Sequence, residues 1–144
     1  MNDPYTTVEF AKDYNKSDEW LNLSSAQKLD ALKWGRLYMD GKYSCPDIDA
    51  LEAANEVIPD NVQIANAIYA ELYVQGYLFK STQDLENQGY AKERELIKAG
   101  PVMIEEEFDT MTAYDVLKTV SAKADALMAP YCNKTTKNVV FLTR

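Results

Sequence analysis

The stretch Asp60–Phe79, DNVQIANAIYAELYVQGYLF, carries a single charged side chain, Glu71, after its first residue. Pro59 precedes it, at a position typical of a helix start. Its apolar residues recur at helical spacing and cover more than one face, and a helix of that kind is buried on several sides. The stretch therefore predicts a central helix over 60–79. It is either the core helix of one subunit or a helix that also meets another subunit.

Three tyrosines lie four residues apart on this predicted helix: Tyr69, Tyr73 and Tyr77. That spacing places them on one stripe of the helix surface. Tyrosine is typical of the edge of a core and also of subunit interfaces, because it combines apolar area with a polar tip. Both interpretations stay open, and the three tyrosines are candidate interface residues.

Helical signals also precede and follow the central stretch. Ser24 followed by Gln27 forms a capping-box pattern, which predicts a helix over 24–40. A short amphipathic helix is predicted over 7–14. Near the other end of the chain, apolar residues at spacings of three and four predict a last helix that Pro130 ends.

The segment Leu96–Phe108, LIKAGPVMIEEEF, departs from the helical pattern. Apolar and charged residues alternate around an Ala-Gly-Pro turn, which predicts a β-hairpin over about 92–108. Adjacent residues of a strand point to opposite faces, so its three consecutive glutamates do not converge on one Ca²⁺ or Mg²⁺ ion. A solvated acidic edge is therefore the favoured interpretation.

An apolar stretch, Val139–Leu142, follows a polar segment near the end of the sequence. An unpaired apolar strand is prone to pair with another strand. It is expected either to pair with the hairpin of its own chain or to add to a sheet of a neighbouring subunit. The candidate interface residues in the hairpin and the tail are Val102, Ile104, Glu105, Glu107, Val139, Val140, Phe141 and Leu142.

The predicted fold class is mainly α: a small helical bundle around the central apolar helix, with one β-hairpin and a C-terminal extended tail. The chain of 144 residues is long enough to form one domain with its own core. The predicted organisation is a single domain over 1–132 and a tail over 133–144.

Composition narrows the functional classes. The chain has no histidine, which removes Ser-His and Cys-His pairs and zinc sites with imidazole ligands. We therefore predict no catalytic residue, no metal ligand and no cofactor.

A net charge of −8 opposes binding to a polyanion. Cys45 and Cys132 form no Cys-X-X-Cys motif and predict two free thiols. The absence of a signal peptide and of a long apolar span predicts a protein of the cytoplasm, or of its assembly, without a membrane partner.

Several segments together resemble one family. The sequence is similar to phage head–tail connector proteins (adaptor or head-completion proteins), and closest to the group labelled DnaT-like single-stranded DNA-binding proteins. The most specific motifs are the Gly-Pro-Val turn between charged strands and DALMAPY near the end of the last helix. The segments that carry the resemblance are TTVEFAKDY (6–14), AQKLDALKWGRLYMD (26–40), IPDNVQIANAIYAELYV (58–74), IKAGPVMIEEEF (97–108), VLKTVSAKADALMAPYC (116–132) and VVFLTR (139–144).

The resemblance implies a structural subunit that acts through its shape and interfaces, without catalytic turnover. Neighbouring copies would form a ring, dodecameric by this resemblance, that docks on the portal protein and presents a surface to a tail, nozzle or stopper protein. Genomic DNA would pass through the ring without specific binding. The protein would be found in the virion, at the head–tail interface, after assembly in the host cytoplasm. The hairpin and the tail would then make contacts between subunits or with the portal.

An alternative function is that of a single-stranded DNA-binding accessory protein, as the label of the similar group suggests. Such proteins combine a basic groove with aromatic side chains on which bases stack. The acidic balance of this chain and its scattered lysines and arginines favour the structural function instead.

Overall fold

Six helices and a two-stranded ribbon make up the residues that the computed structural model describes, 1–79 and 113–135. The predicted mainly helical class is confirmed. The predicted hairpin over 92–108 and the apolar stretch Val139–Leu142 lie outside the described residues. The elements, in chain order, are α1 (Val8–Ala11), α2 (Asp18–Leu21), α3 (Ser25–Lys42), β1 (Tyr43–Ser44), α4 (Pro46–Ala53), α5 (Asp60–Val74), α6 (Ala113–Met128) and β2 (Asn133–Lys134).

Helix α5 is the centre of this arrangement. It packs against α3 along one side and against α6 along another. The larger apolar cluster takes Val62, Ile68 and Leu72 from α5, and a smaller cluster around Trp20 takes Ala67 from the same helix. The predicted burial of this helix on several sides is therefore observed within one chain.

Helices α3 and α5 approach each other most closely at Gly35. A Cβ atom at this position would lie 2.7 Å from the backbone nitrogen of Ala70 and 3.1 Å from the carbonyl carbon of Tyr69. Glycine is therefore required sterically, although it lowers the intrinsic stability of a helix. The small side chain of Ala70 and the absent side chain of Gly35 let the two backbones touch.

The central helix ends earlier than predicted, at Val74 rather than Phe79. Gly76 adopts a φ of 84°, which favours glycine. The N–H of Tyr77 donates to the carbonyl of Leu72, and the N–H of Gly76 donates to that of Tyr73. These two bonds form a Schellman motif, which ends the helix because the glycine turns the chain away from its axis.

Helix α3 begins as predicted. The hydroxyl of Ser24 accepts the N–H of Gln27, and the Gln27 side chain accepts the N–H of Ser24. The helix then continues through Gly41 to Lys42, two residues beyond the predicted end. The connection predicted over 41–58 contains β1 and α4, while the helix predicted over 7–14 is the shorter α1.

Two buried polar side chains of α5 hold the N-terminal segment. Asn66 accepts the N–H of Tyr5 and donates to the carbonyl of Leu32, so it connects the segment to α3 as well. Glu71 accepts the N–H of Ser17, the N-cap residue of α2, at 2.9 Å. The two short N-terminal helices are thus positioned by hydrogen bonds to α5 in addition to apolar packing.

Cys45 and Cys132 are joined by a disulfide bond. The prediction of two free thiols is therefore wrong. The physical reason is the antiparallel ribbon, in which Tyr43 pairs with Lys134 and Ser44 with Asn133. This pairing brings two residues 87 positions apart in the sequence next to each other.

Candidate functional site

An aromatic group lies at the surface where the end of α5 meets α3. The rings of Trp34 and Tyr73 stack with their centroids 5.5 Å apart and 8° between their planes. Phe79 meets the Trp34 ring edge-on at 5.8 Å. Leu37 lies one helical turn beyond Trp34. We call Trp34, Leu37, Tyr73 and Phe79 the aromatic surface.

The aromatic surface is accessible to a partner. Leu37 and Phe79 each leave 38% of their area exposed, and Trp34 and Tyr73 are half-buried. Aromatic residues combined with a depletion of charge are typical of the centre of a protein interface. The stacking of Trp34 on Tyr73 holds both rings in one arrangement, which lowers the entropy lost on binding.

The structure separates the three tyrosines of the predicted stripe. Tyr69 and Tyr77 are buried in the larger apolar cluster, while Tyr73 reaches the surface. The other candidate interface residues, from Val102 to Glu107 and from Val139 to Leu142, lie outside the described residues. Sequence reasoning missed Leu37 and Phe79 as surface residues, because an apolar residue on a helix or at its end looks like a core residue.

A second group, the polar cluster, lies beneath the ribbon. It contains Lys42, Tyr43, Tyr69 and Asp125. Lys42 Nζ lies 3.1 Å from the Tyr69 hydroxyl and 3.2 Å from Asp125 Oδ1. The Tyr43 hydroxyl donates to Asp125 and lies 2.8 Å from that of Tyr69. The cluster connects the end of α3 to α5 and α6.

Burial and mutual contacts set the protonation states of the polar cluster. Burial raises the pKa of Tyr43 and of Tyr69, so both hydroxyls stay protonated. Burial alone would raise the pKa of Asp125, but hydrogen bonds from Lys134 and Tyr43 outweigh it and lower that pKa. Burial lowers the pKa of Lys42 against the opposing effect of Asp125. The cluster is thus an ionised carboxylate surrounded by donors, an arrangement that fixes the elements in place.

A third group fixes α4 to α3. The Arg36 guanidinium donates to both carboxylate oxygens of Glu52 and to the carbonyl of Asp3. It also stacks on the Tyr5 ring, with its central carbon 4.0 Å from the ring centroid. Burial alone would lower the pKa of Arg36, but the hydrogen bonds to Glu52 outweigh it and raise that pKa. The buried charge is therefore matched, as a buried arginine requires.

Replacing Lys42 by methionine should lower the free energy of unfolding by only about 1 kcal/mol. Asp125 would keep its bonds to Tyr43 and Lys134, and the methionine would avoid the cost of burying an ammonium group. Urea denaturation of the two proteins measures this difference. Lys134→Met, at a lysine that is 57% exposed, is the matched control and should change stability by less than about 0.5 kcal/mol. A loss as large as that of a core cavity would contradict the prediction.

No local pattern in the sequence predicted the polar cluster. Lys42 and Asp125 lie on helices that meet only in the folded chain, and neither belongs to a recognisable motif. Trp34 was part of a segment that carries the family resemblance, but its partner Tyr73 was apparent only as a member of the tyrosine stripe. The long-range contacts that define both groups are properties of the tertiary structure.

Residues 1–79 and 113–135 contain no cluster of three acidic or cysteine side chains that is suited to a metal ion. Over the same residues, no helix combines the length and apolar character needed to span a bilayer. Comparisons with protein-family models, with curated proteins and with solved structures find no match for this chain.

Proposed function

We propose that this chain is a structural subunit of a phage head-to-tail connector, in which neighbouring copies form a ring on the portal protein. The ring links the capsid to a tail, nozzle or stopper protein and extends the channel through which genomic DNA passes. The mainly helical fold agrees with this function, and the sequence resemblance is the reason for proposing a connector in particular. The observation that carries an assembly role is the aromatic surface.

The aromatic surface supports assembly by its composition and its rigidity. Interfaces derive most of their binding energy from a few well-packed aromatic residues near their centre. Trp34 and Tyr73 provide stacked rings, while Leu37 and Phe79 provide exposed apolar area beside them. Burying this area against a portal protein or a second copy removes it from water, at roughly 25 cal/mol per Å².

Replacing Leu37 by glutamate tests this role. A carboxylate placed in an apolar interface loses its hydration without gaining a partner, so we expect the affinity for purified portal protein to fall by about tenfold or more. Mass measurement of the mixture, with and without portal, gives the bound fraction and the number of copies. If the unaltered chain forms no complex with the portal protein, the proposed connector function is wrong.

Leu21→Glu is the matched control for that experiment. Leu21 is 55% exposed and lies on α2, whereas the aromatic surface is built from α3, α5 and Phe79. The same chemical change at this position should leave portal binding unaltered. If both variants lose binding equally, the effect comes from added negative charge, and the aromatic surface is not the contact.

The exposed aromatic rings also favour one alternative, a single-stranded DNA-binding accessory protein, because bases stack on such rings. Trp34 and Tyr73 already stack on each other, and Asp30 lies close enough to help raise the pKa of Tyr73, after the larger effect of burial. These features weaken the alternative. A gel shift on single-stranded DNA that weakens steeply with added salt would support it.

A further inference from the structure

The disulfide occupies a defined position in the ribbon. Continuing the register of β1 and β2 by one residue pairs Cys45 with Cys132. In the opposite direction, the same register pairs Lys42 with Thr135. The N–H of Thr135 donates to the carbonyl of Lys42, so Lys42 and Thr135 form a hydrogen-bonded pair. Because the two kinds of pair alternate along an antiparallel ladder, Cys45 and Cys132 form a non-hydrogen-bonded pair. Their Cα atoms are 4.4 Å apart, as expected for such a pair.

This geometry means that backbone pairing alone brings the two sulfurs within bonding reach. The elements that carry the cysteines are positioned by contacts that do not involve sulfur. Lys42 and Asp125 join α3 to α6, and the hydroxyl and N–H of Thr135 donate to the carbonyls of Gly41 and Lys42. Whenever the ribbon is paired, two thiols at these positions are therefore placed for oxidation.

The ribbon is weak without its covalent bond. Each strand has two residues, and isolated two-stranded ribbons are marginal in water. The ion pair between Lys134 and Asp125 is 2.7 Å long, but the lysine is 57% exposed, so the pair contributes less than about 1 kcal/mol. The α3–α5 contact, by contrast, is buried and apolar. Opening the disulfide is therefore expected to release the ribbon locally and to leave the helical core intact.

We propose that Cys45 and Cys132 form a reversible thiol–disulfide exchange site for a low-molecular-weight disulfide of the glutathione class, and that its closure fixes residues 133–135 to the end of α3. Both cysteines are buried, with 8% and 9% of their area exposed, so the ribbon must open locally before such a reagent can reach them. This proposal stands independently of the connector function.

The exchange balances in two steps. The thiolate of one cysteine attacks a sulfur of the small disulfide, which forms a mixed disulfide and expels one small thiolate. The thiolate of the second cysteine then attacks the protein sulfur of the mixed disulfide and expels the second small thiolate. Two protein thiols are oxidised, one small disulfide is reduced to two thiols, and the two protons move from the protein to the released thiols. In a reducing compartment the reverse reaction opens the pair.

The test is a titration of the full chain in glutathione buffers whose reduced-to-oxidised ratio spans reducing and oxidising compartments. Alkylation and mass measurement give the fraction of closed pair, and hydrogen exchange reports the local structure. We expect a reversible transition within this range. In the open form, amides of residues 43–45 and 132–135 should exchange at least tenfold faster, while those of α3 and α5 keep their protection.

Three results would overturn the proposal. The first is a pair that stays closed at every ratio tested. The second is reduction that unfolds α3 and α5 as well, and the third is reduction that leaves the hydrogen exchange of the ribbon unchanged. The Cys45→Ser, Cys132→Ser double variant is the control and should show the open-form exchange pattern in all buffers. If that variant does not fold, the titration of the unaltered chain still decides among these outcomes.

Discussion

Replacing Gly35 by alanine is expected to lower the free energy of unfolding by about 3 kcal/mol, at the upper end of what overpacking costs. The added Cβ atom would lie 2.7 Å from the backbone nitrogen of Ala70. Backbone atoms cannot move aside as the end of a flexible side chain can, so α3 and α5 must separate. That separation loosens the apolar contacts along the whole crossing. Urea denaturation, followed by circular dichroism, measures the change.

The sign of this effect separates two explanations. Helix propensity alone predicts that alanine stabilises α3 by about 1 kcal/mol relative to glycine. The close approach of the two backbones predicts instead that alanine destabilises the protein. Asp30→Ala, on the exposed side of the same helix, is the control and should change stability by no more than about 0.5 kcal/mol. A Gly35→Ala protein as stable as the unaltered chain would mean that the two helices do not cross at this residue.

Replacing Glu71 by glutamine is expected to stabilise the protein at pH 8 by roughly 4 kcal/mol, and to have little effect at pH 4.5. Burial raises the pKa of Glu71 to about 8, and this effect outweighs the hydrogen bonds from the backbone and hydroxyl of Ser17. The raised pKa means that the folded state binds a proton that the unfolded state releases above pH 4.5. The stability contributed by the neutral carboxyl is therefore present below pH 4.5 and is lost as the pH rises towards 8.

The measurement is the free energy of unfolding of both proteins at several pH values between 4 and 9. Each unit of pH between the two pKa values removes about 1.4 kcal/mol from the unaltered chain. Glutamine keeps an oxygen that can accept the N–H of Ser17, so the hydrogen bond serves as an internal control. Taking the difference between the two proteins cancels the titration of all other groups. A difference that is the same at every pH would show that folding does not change the pKa of Glu71.

Local patterns in the sequence predicted the helices well. The capping box at Ser24 located the start of α3, and the apolar stretch after Pro59 located the start and the burial of α5. The end of α5 was missed because apolar residues continue to Phe79, although Gly76 carried the signal that ends the helix. In each correct case the determining residues lie within a few positions of one another.

The features that local patterns did not predict depend on contacts between distant parts of the chain. Cys45 and Cys132 have no motif in common, and only the register of the ribbon makes them neighbours. The stacking of Trp34 on Tyr73 is likewise set by the crossing of α3 and α5. A tyrosine stripe read from helical spacing could not distinguish buried Tyr69 from accessible Tyr73, since both belong to the same helix face. Tertiary packing decides such differences.

The pairing of Thr135 with Lys42 also has a consequence for the order of folding during synthesis. Helices α3 and α5 are complete once residue 74 has been made, and their closest contact joins Gly35 to Tyr69 and Ala70. The last carbonyls of α3 receive their donors from Thr135, which is synthesised about 60 residues later. At the usual rate of translation this delay is roughly 3 to 12 s. The nascent helical pair therefore waits for the C-terminal segment while the carbonyls of Gly41 and Lys42 lack the donors of Thr135.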